Sequence, residues 1–146
     1  MRLNADFLAY AHDGRLVLAA EARNRPSAGQ RWAAEFRRNL LAGGVIPAAP
    51  FFLLALRDRF FLWRPQAADP MSPPDYEADA DDVLRPYLVH LRHSLGSLGN
   101  DSFDMLVSLW LDDVVHGTAG EQPLWMTASG LDRELRGGTI AMAPAT

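Results

Sequence analysis

Two short apolar runs flanking Asp13-Gly14 constrain this chain more than any other feature. The runs cover residues 6–11 and 15–23. Asp-Gly suits a two-residue type I′ hairpin loop, because both central positions need positive φ. That loop predicts a register in which His12 faces Arg15, Tyr10 faces Val17, Leu8 faces Ala19 and Asp6 faces Glu21. Two carboxylates directly opposed destabilise a hairpin, so the last pair asks for a physical reason. Arg23 lies two residues beyond Glu21 and points to the same side. Asp6, Glu21 and Arg23 are therefore expected to converge at one hairpin end. The plain alternative is that strand ends carry charges and fray into water. The second run is almost wholly apolar, which suits a strand buried on both faces.

Further elements follow the same logic. Pro26-Ser27 opens an expected helix over 28–42, with Trp32, Ala33, Phe36 and Leu40 spaced as a buried stripe and Gly43-Gly44 as its stop. Residues 50–56 and 60–63 flank Arg57-Asp58-Arg59 as a second hairpin. Their aromatic side chains sit in continuous apolar runs, which reads as core rather than as a base-stacking platform. Residues 65–76 hold four prolines and read as a linker. The remainder reads as helices over about 80–95 and 103–116, the second capped by Ser102 with Met105, Leu106, Leu109 and Trp110 as its apolar face. A short helix capped by Ser129 and a strand at 139–141 close the chain. The expected organisation is an αβ core at 1–64, a proline-rich linker at 65–76 and a helical C-terminal region at 77–146 packed on the core as one unit. His90 and His93, three apart on one helix, are a candidate metal pair with no evident third ligand.

Composition narrows the chemistry. The chain has 146 residues, within one domain's range of roughly 100–200. It lacks cysteine, which removes disulfides, thiol nucleophiles and thiolate metal sites. No apolar run is long enough for a transmembrane helix, and the N-terminus shows no signal-peptide pattern, so a cytoplasmic protein without membrane contact is expected. All 14 basic residues are arginine. Net charge is −4, yet residues 1–64 hold ten arginines against five acids, so the half with the candidate site is basic.

Two acids meeting beside a cation suit hard-metal phosphodiester chemistry. Carboxylates hold Mg²⁺, the ion polarises a phosphate and activates water, and a cation stabilises the developing charge. Asp6, the hairpin, Glu21-Ala22-Arg23, the helix and the next strand resemble the core of the PD-(D/E)xK nuclease superfamily. More narrowly, the chain resembles a group of small bacterial nuclease-like proteins through Trp32-Ala33-Ala34-Glu35-Phe36-Arg37-Arg38-Asn39-Leu40, residues 50–56 and 58–63, Ser108-Leu109-Trp110-Leu111, and residues 129–138.

This resemblance implies an α+β, restriction-endonuclease-like fold: a central sheet of two hairpins and a helix, then a C-terminal helical region. It implies Asp6 and Glu21 as ligands of Mg²⁺ (or Mn²⁺), with the Ala22 carbonyl as a further ligand. Arg23 stands where the family has lysine, and Gln30 and Arg38 would line the site. The family core opens with a helix bearing another glutamate and then a strand. Few residues precede Asp6 here, so a trimmed core, a degenerate site or a partner subunit is expected; an open sheet edge would also suit a homo-oligomer. The implied function is a degenerate or weak metal-dependent nuclease module acting on or binding nucleic acid, in a bacterial defence or mobile-element setting. In a binding role Arg23, Arg25, Arg31, Arg37 and Arg38 would contact phosphates. The alternative is a non-catalytic scaffold or protein-interaction domain.

Overall fold

The computed structural model describes residues 5–26, 29–44, 46–65, 69–91, 99–120 and 122–142. Strands β1 (Phe7–Tyr10) and β2 (Leu16–Arg23) are followed by helix α1 (Gln30–Ala42), then β3 (Phe51–Leu56) and β4 (Arg59–Trp63). Strand β5 (Tyr76–Asp79) leads directly into α2 (Ala80–Leu91). Helices α3 (Asn100–His116), α4 (Leu124–Ser129) and α5 (Leu131–Leu135) precede β6 (Thr139–Met142). The strands form one six-stranded mixed sheet in the order β5-β4-β3-β2-β1-β6. Strands β2 and β3 are parallel and joined through α1; all other neighbours are antiparallel. The fold is α+β, and both halves of the sequence supply strands to the sheet.

Each face of the sheet is covered. Ala19, Phe52, Leu54, Leu56, Phe61 and Trp63 pack under α1. Leu18, Ala20, Leu53, Ala55, Phe60 and Leu62 pack with Leu84 of α2, Phe103, Leu106 and Trp110 of α3, Met126 and Leu135. This two-sided burial explains why β2 and β3 read as near-continuous apolar runs. Leu8 and Ala19 pack on the α1 face, and alternation along β2 puts Glu21 and Arg23 on the same face as Ala19.

The first hairpin differs from the sequence expectation in its loop. The Ala11 N–H donates to Arg15 O at 2.8 Å, and the Gly14 N–H to Ala11 O at 2.9 Å. Gly14 has φ +87°. This is a three-residue loop, His12-Asp13-Gly14, with glycine in the left-handed position. His12 therefore does not face Arg15, and Tyr10 pairs with Leu16 rather than Val17. A bulge at Val17 then restores the expected register: Leu8 faces Ala19 and Phe7 faces Ala20. Two one-residue shifts cancel, so the end bearing Asp6 and Glu21 is aligned as expected.

Other expectations need correction. The buried residues of α1 are Ala33, Ala34 and Arg37; Trp32, Phe36 and Leu40 are only partly buried. Its start lies at Gln30 with Gly29 as cap, Ser27 being outside the described residues. Helix α3 is capped by Gly99, which puts Ser102 inside the first turn. Met105 and Leu109 face outward, while Phe103, Val107, Leu111 and Val114 join Leu106 and Trp110 in the core. Residues 76–79 are a strand, because Phe61 and Leu62 of β4 offer them an open edge. Ser129 is the last residue of α4 rather than the cap of α5, which is Gly130, although its hydroxyl accepts the Leu131 N–H at 3.3 Å. No helix among the described residues is long and apolar enough to cross a membrane.

Candidate functional site

At the hairpin end, one nitrogen meets three oxygens. Arg23 Nη1 lies 2.6 Å from Asp6 Oδ2, 2.8 Å from Glu21 Oε2 and 3.0 Å from the Ala22 carbonyl. Asp6 Oδ2 also accepts the Ala22 N–H at 2.9 Å. The strands explain the convergence. The register ends with Phe7 opposite Ala20, the Ala22 N–H holds the Asp6 carboxylate at this strand end, and alternation returns Arg23 to the face of Glu21 two residues later. The guanidinium is held from behind by α1, with its carbon 5.7 Å from the centre of the Phe36 ring.

Glu21 is fully buried, since β2 is flanked by β1 and β3 and covered by α1. Burial pushes its carboxyl up to about 8; hydrogen bonding and repulsion from Asp6 push the same way, and Arg23 opposes them. At neutral pH Glu21 is therefore mostly protonated, which spares the buried position an ionised carboxylate.

A cavity of about 340 Å³ opens beside the cluster, lined by Asp6, Ala22, Arg23, Asn24, Arg25 and Asp104. Asp104 comes from α3, in the opposite helical layer. Its carboxyl is raised by burial and by Asp6, while Arg23 lowers it and Asp101 adds to the rise. No sequence pattern flagged Asp104. An acid between apolar residues on a helix reads as a solvated position, and its meeting with β1 depends on long-range packing.

The remaining site candidates separate into distinct environments. Arg25 lies on the cavity rim and stacks on Trp32, with 4.8 Å from guanidinium carbon to ring centre. Trp32 stacks in turn on Phe36 at 5.2 Å. Gln30 is not in the cluster: its amide donates to Glu77 of β5 at 2.8 Å, beyond β3 and β4. Arg31 is exposed and pairs with Glu35 at 3.6 Å. Arg37 is buried, sits over Trp63 at 5.4 Å and donates to the carbonyls of Asp69 and Pro70. It ties the proline-rich segment to the sheet and is not available to a phosphate. Arg38 is exposed on the outer side of α1. His93 and the side chain of His90 lie outside the described residues.

The donor set has the hard oxygen character Mg²⁺ requires, but as arranged it does not fit a resident ion. The point on which Asp6, Glu21 and the Ala22 carbonyl converge is filled by Arg23 Nη1. A divalent ion would need this guanidinium displaced and the Glu21 proton lost. Among the described residues no group of three or more histidine, aspartate or glutamate side chains is arranged as a metal site.

No protein-family model, curated protein or solved structure matches the chain.

Proposed function

We propose that this chain is a PD-(D/E)xK-like, restriction-endonuclease-like module with a degenerate site, which binds nucleic acid rather than turning it over. Asp6, Glu21 and the Ala22 carbonyl are the ligands that the resembled family would offer a divalent ion, and Arg23 supplies the positive charge instead. The single observation that carries this reading is the convergence of those three oxygens on one Arg23 nitrogen.

Two further features support it. The order β1-β2-α1-β3, with β2 and β3 parallel, suits the resembled core. That core opens with an acid-bearing helix and a strand. Here β6 lies beside β1, and α3, which carries Asp104, packs against β2 and β6. C-terminal elements can thus serve in place of the opening ones, with no partner subunit needed to complete the sheet. Arginine cannot give up its proton, so it can clamp a phosphate but cannot perform the near-neutral proton chemistry open to a buried lysine. Arg25, Arg31 and Arg38 are the residues for phosphate contact; Gln30 and Arg37 are not.

The test is Arg23→Lys. The shorter, single-point cation leaves room at the converging oxygens. Arg23→Lys is expected to gain nicking of plasmid DNA with Mg²⁺ or Mn²⁺, and Glu21→Ala in that background is expected to abolish it. The parent is expected to shift DNA without cutting it. Glu21-dependent cleavage by the parent would overturn the degenerate-site reading. Absence of any nucleic-acid binding would favour a scaffold.

A further inference from the structure

At the opposite end of the sheet lies a second cavity, of about 500 Å³. Eight residues of β2 separate Arg15 from Arg23, which is about 25 Å at ~3.3 Å per strand residue. Four separate stretches build this cavity: the β1–β2 loop brings His12 and Arg15, the start of β3 brings Phe51, the end of β4 brings Arg64, and the α4–α5 junction brings Gly130, Arg133 and Glu134.

Three arginines line this one space, and like charges gathered there repel each other unless something negative sits among them. Arg15 is paired with Glu134 at 3.1 Å and Asp13 at 3.7 Å. Among the described residues no carboxylate pairs with the side chain of Arg64 or Arg133. Their backbones are nevertheless anchored: the Arg64 N–H donates to Asp75 at 2.7 Å, and the Arg133 N–H to Asp132 at 2.8 Å. Gly130 has φ +82°, and a Cβ there would stand 3.2 Å from Arg133 Nη2. The glycine thus leaves the Arg133 guanidinium room to lie across the backbone at the cavity wall.

We propose that this cavity binds a phosphate monoester. The lining carries three arginines against one glutamate, an excess that matches a dianion rather than a single carboxylate. Arginine's planar fork suits phosphate oxygens, and the volume falls within the range of small-ligand sites, about 300–1,000 Å³. His12 adds a donor. The phosphate belongs either to a free nucleotide or to the end of a nucleic-acid strand.

Calorimetric titration of the full chain tests this with adenosine 5′-monophosphate, adenosine, and one oligonucleotide with and without a 5′-phosphate. The monophosphate is expected to bind and adenosine not. Arg64→Ala and Arg133→Ala are each expected to weaken binding by about tenfold, the scale of one charge-assisted hydrogen-bonded contact. Arg85→Ala, which removes one positive charge elsewhere, is expected to leave affinity unchanged. Tighter binding of the phosphorylated oligonucleotide than of the nucleotide assigns the site to a strand end; the reverse assigns it to a free nucleotide. No binding of either phosphate at millimolar concentration, equal binding of adenosine, or unchanged affinity in both arginine variants would overturn the proposal.

Discussion

Arg23 Nη1 stands 2.8 Å from Oε2 of a glutamate that has no exposed surface, Glu21. The same nitrogen reaches Asp6 at 2.6 Å, so one cation serves two acids. An ion pair at a surface contributes little. This one sits against a buried acid, and the protonation of Glu21 sets how stability responds to pH.

The carboxyl of Glu21 titrates near 4.5 in an unfolded chain and near 8 in the folded protein. Its native value is raised, so the folded state holds the proton longer than the unfolded state. Glu21 therefore favours folding fully below about pH 4.5, and that contribution is lost as pH rises toward 8. Across this window stability should fall by about 1.4 kcal/mol per pH unit from this group. Urea unfolding at pH 5, 6, 7 and 8 should show the slope in the parent and a flatter profile in Glu21→Gln. Equal profiles would contradict the assignment.

Arg37 and Arg38 are neighbours on α1 with opposite roles. Arg37→Ala removes a buried cation from over Trp63 and frees the carbonyls of Asp69 and Pro70, so a loss of about 2–4 kcal/mol is expected. Arg38→Ala, on the exposed side, is expected to stay within about 0.5 kcal/mol of the parent. Chemical denaturation of both variants checks the contrast.

Gly138 is needed for a different reason than turn geometry. A Cβ at this position would overlap the carbonyl oxygen of Tyr10. Gly138→Ala should therefore push β6 away from β1, with a loss of about 1–3 kcal/mol or more. Hydrogen exchange should show faster exchange at those β6 amides that donate to β1. Unchanged protection there would contradict the packing.

Arg31 and Arg38 are seven residues apart and share one face of α1. Replacing either with alanine should weaken binding to duplex DNA about equally for unrelated sequences. Each should also reduce the log–log salt slope by about one. Gln30→Ala, whose side chain is engaged with Glu77, should change neither. Affinity measured over a series of salt concentrations separates these outcomes.

The fold was legible where local rules govern. Both hairpins, the α1 stop at Gly43-Gly44 and the last strand follow from turn residues and alternation. Arg23 beside Glu21 follows from period two, while Asp6 beside Glu21 follows from a hairpin register whose loop differs and whose bulge compensates. The loop at His12-Asp13-Gly14 was misread because Asp-Gly serves both a two-residue and a three-residue loop, and only hydrogen bonds distinguish them. Strand β5 was hidden because Tyr76–Asp79 is too short and polar to signal itself without β4 beside it. Arg37 looked like part of a basic surface because charge predicts exposure; its burial depends on Trp63 and the returning proline-rich segment. Asp104 reaches the site only through the packing of α3 against β2 and β6.

Divalent-ion binding by the parent and by Arg23→Ala tests the central claim most directly. Titration with Mn²⁺, followed by its paramagnetic signal, is expected to show no uptake at Asp6 and Glu21 in the parent. Arg23→Ala is expected to bind one ion there, to be stabilised by it against heat, and to lose it on Asp6→Asn. One ion bound by the parent through Asp6 and Glu21 would contradict the account, as would a folded Arg23→Ala that binds none.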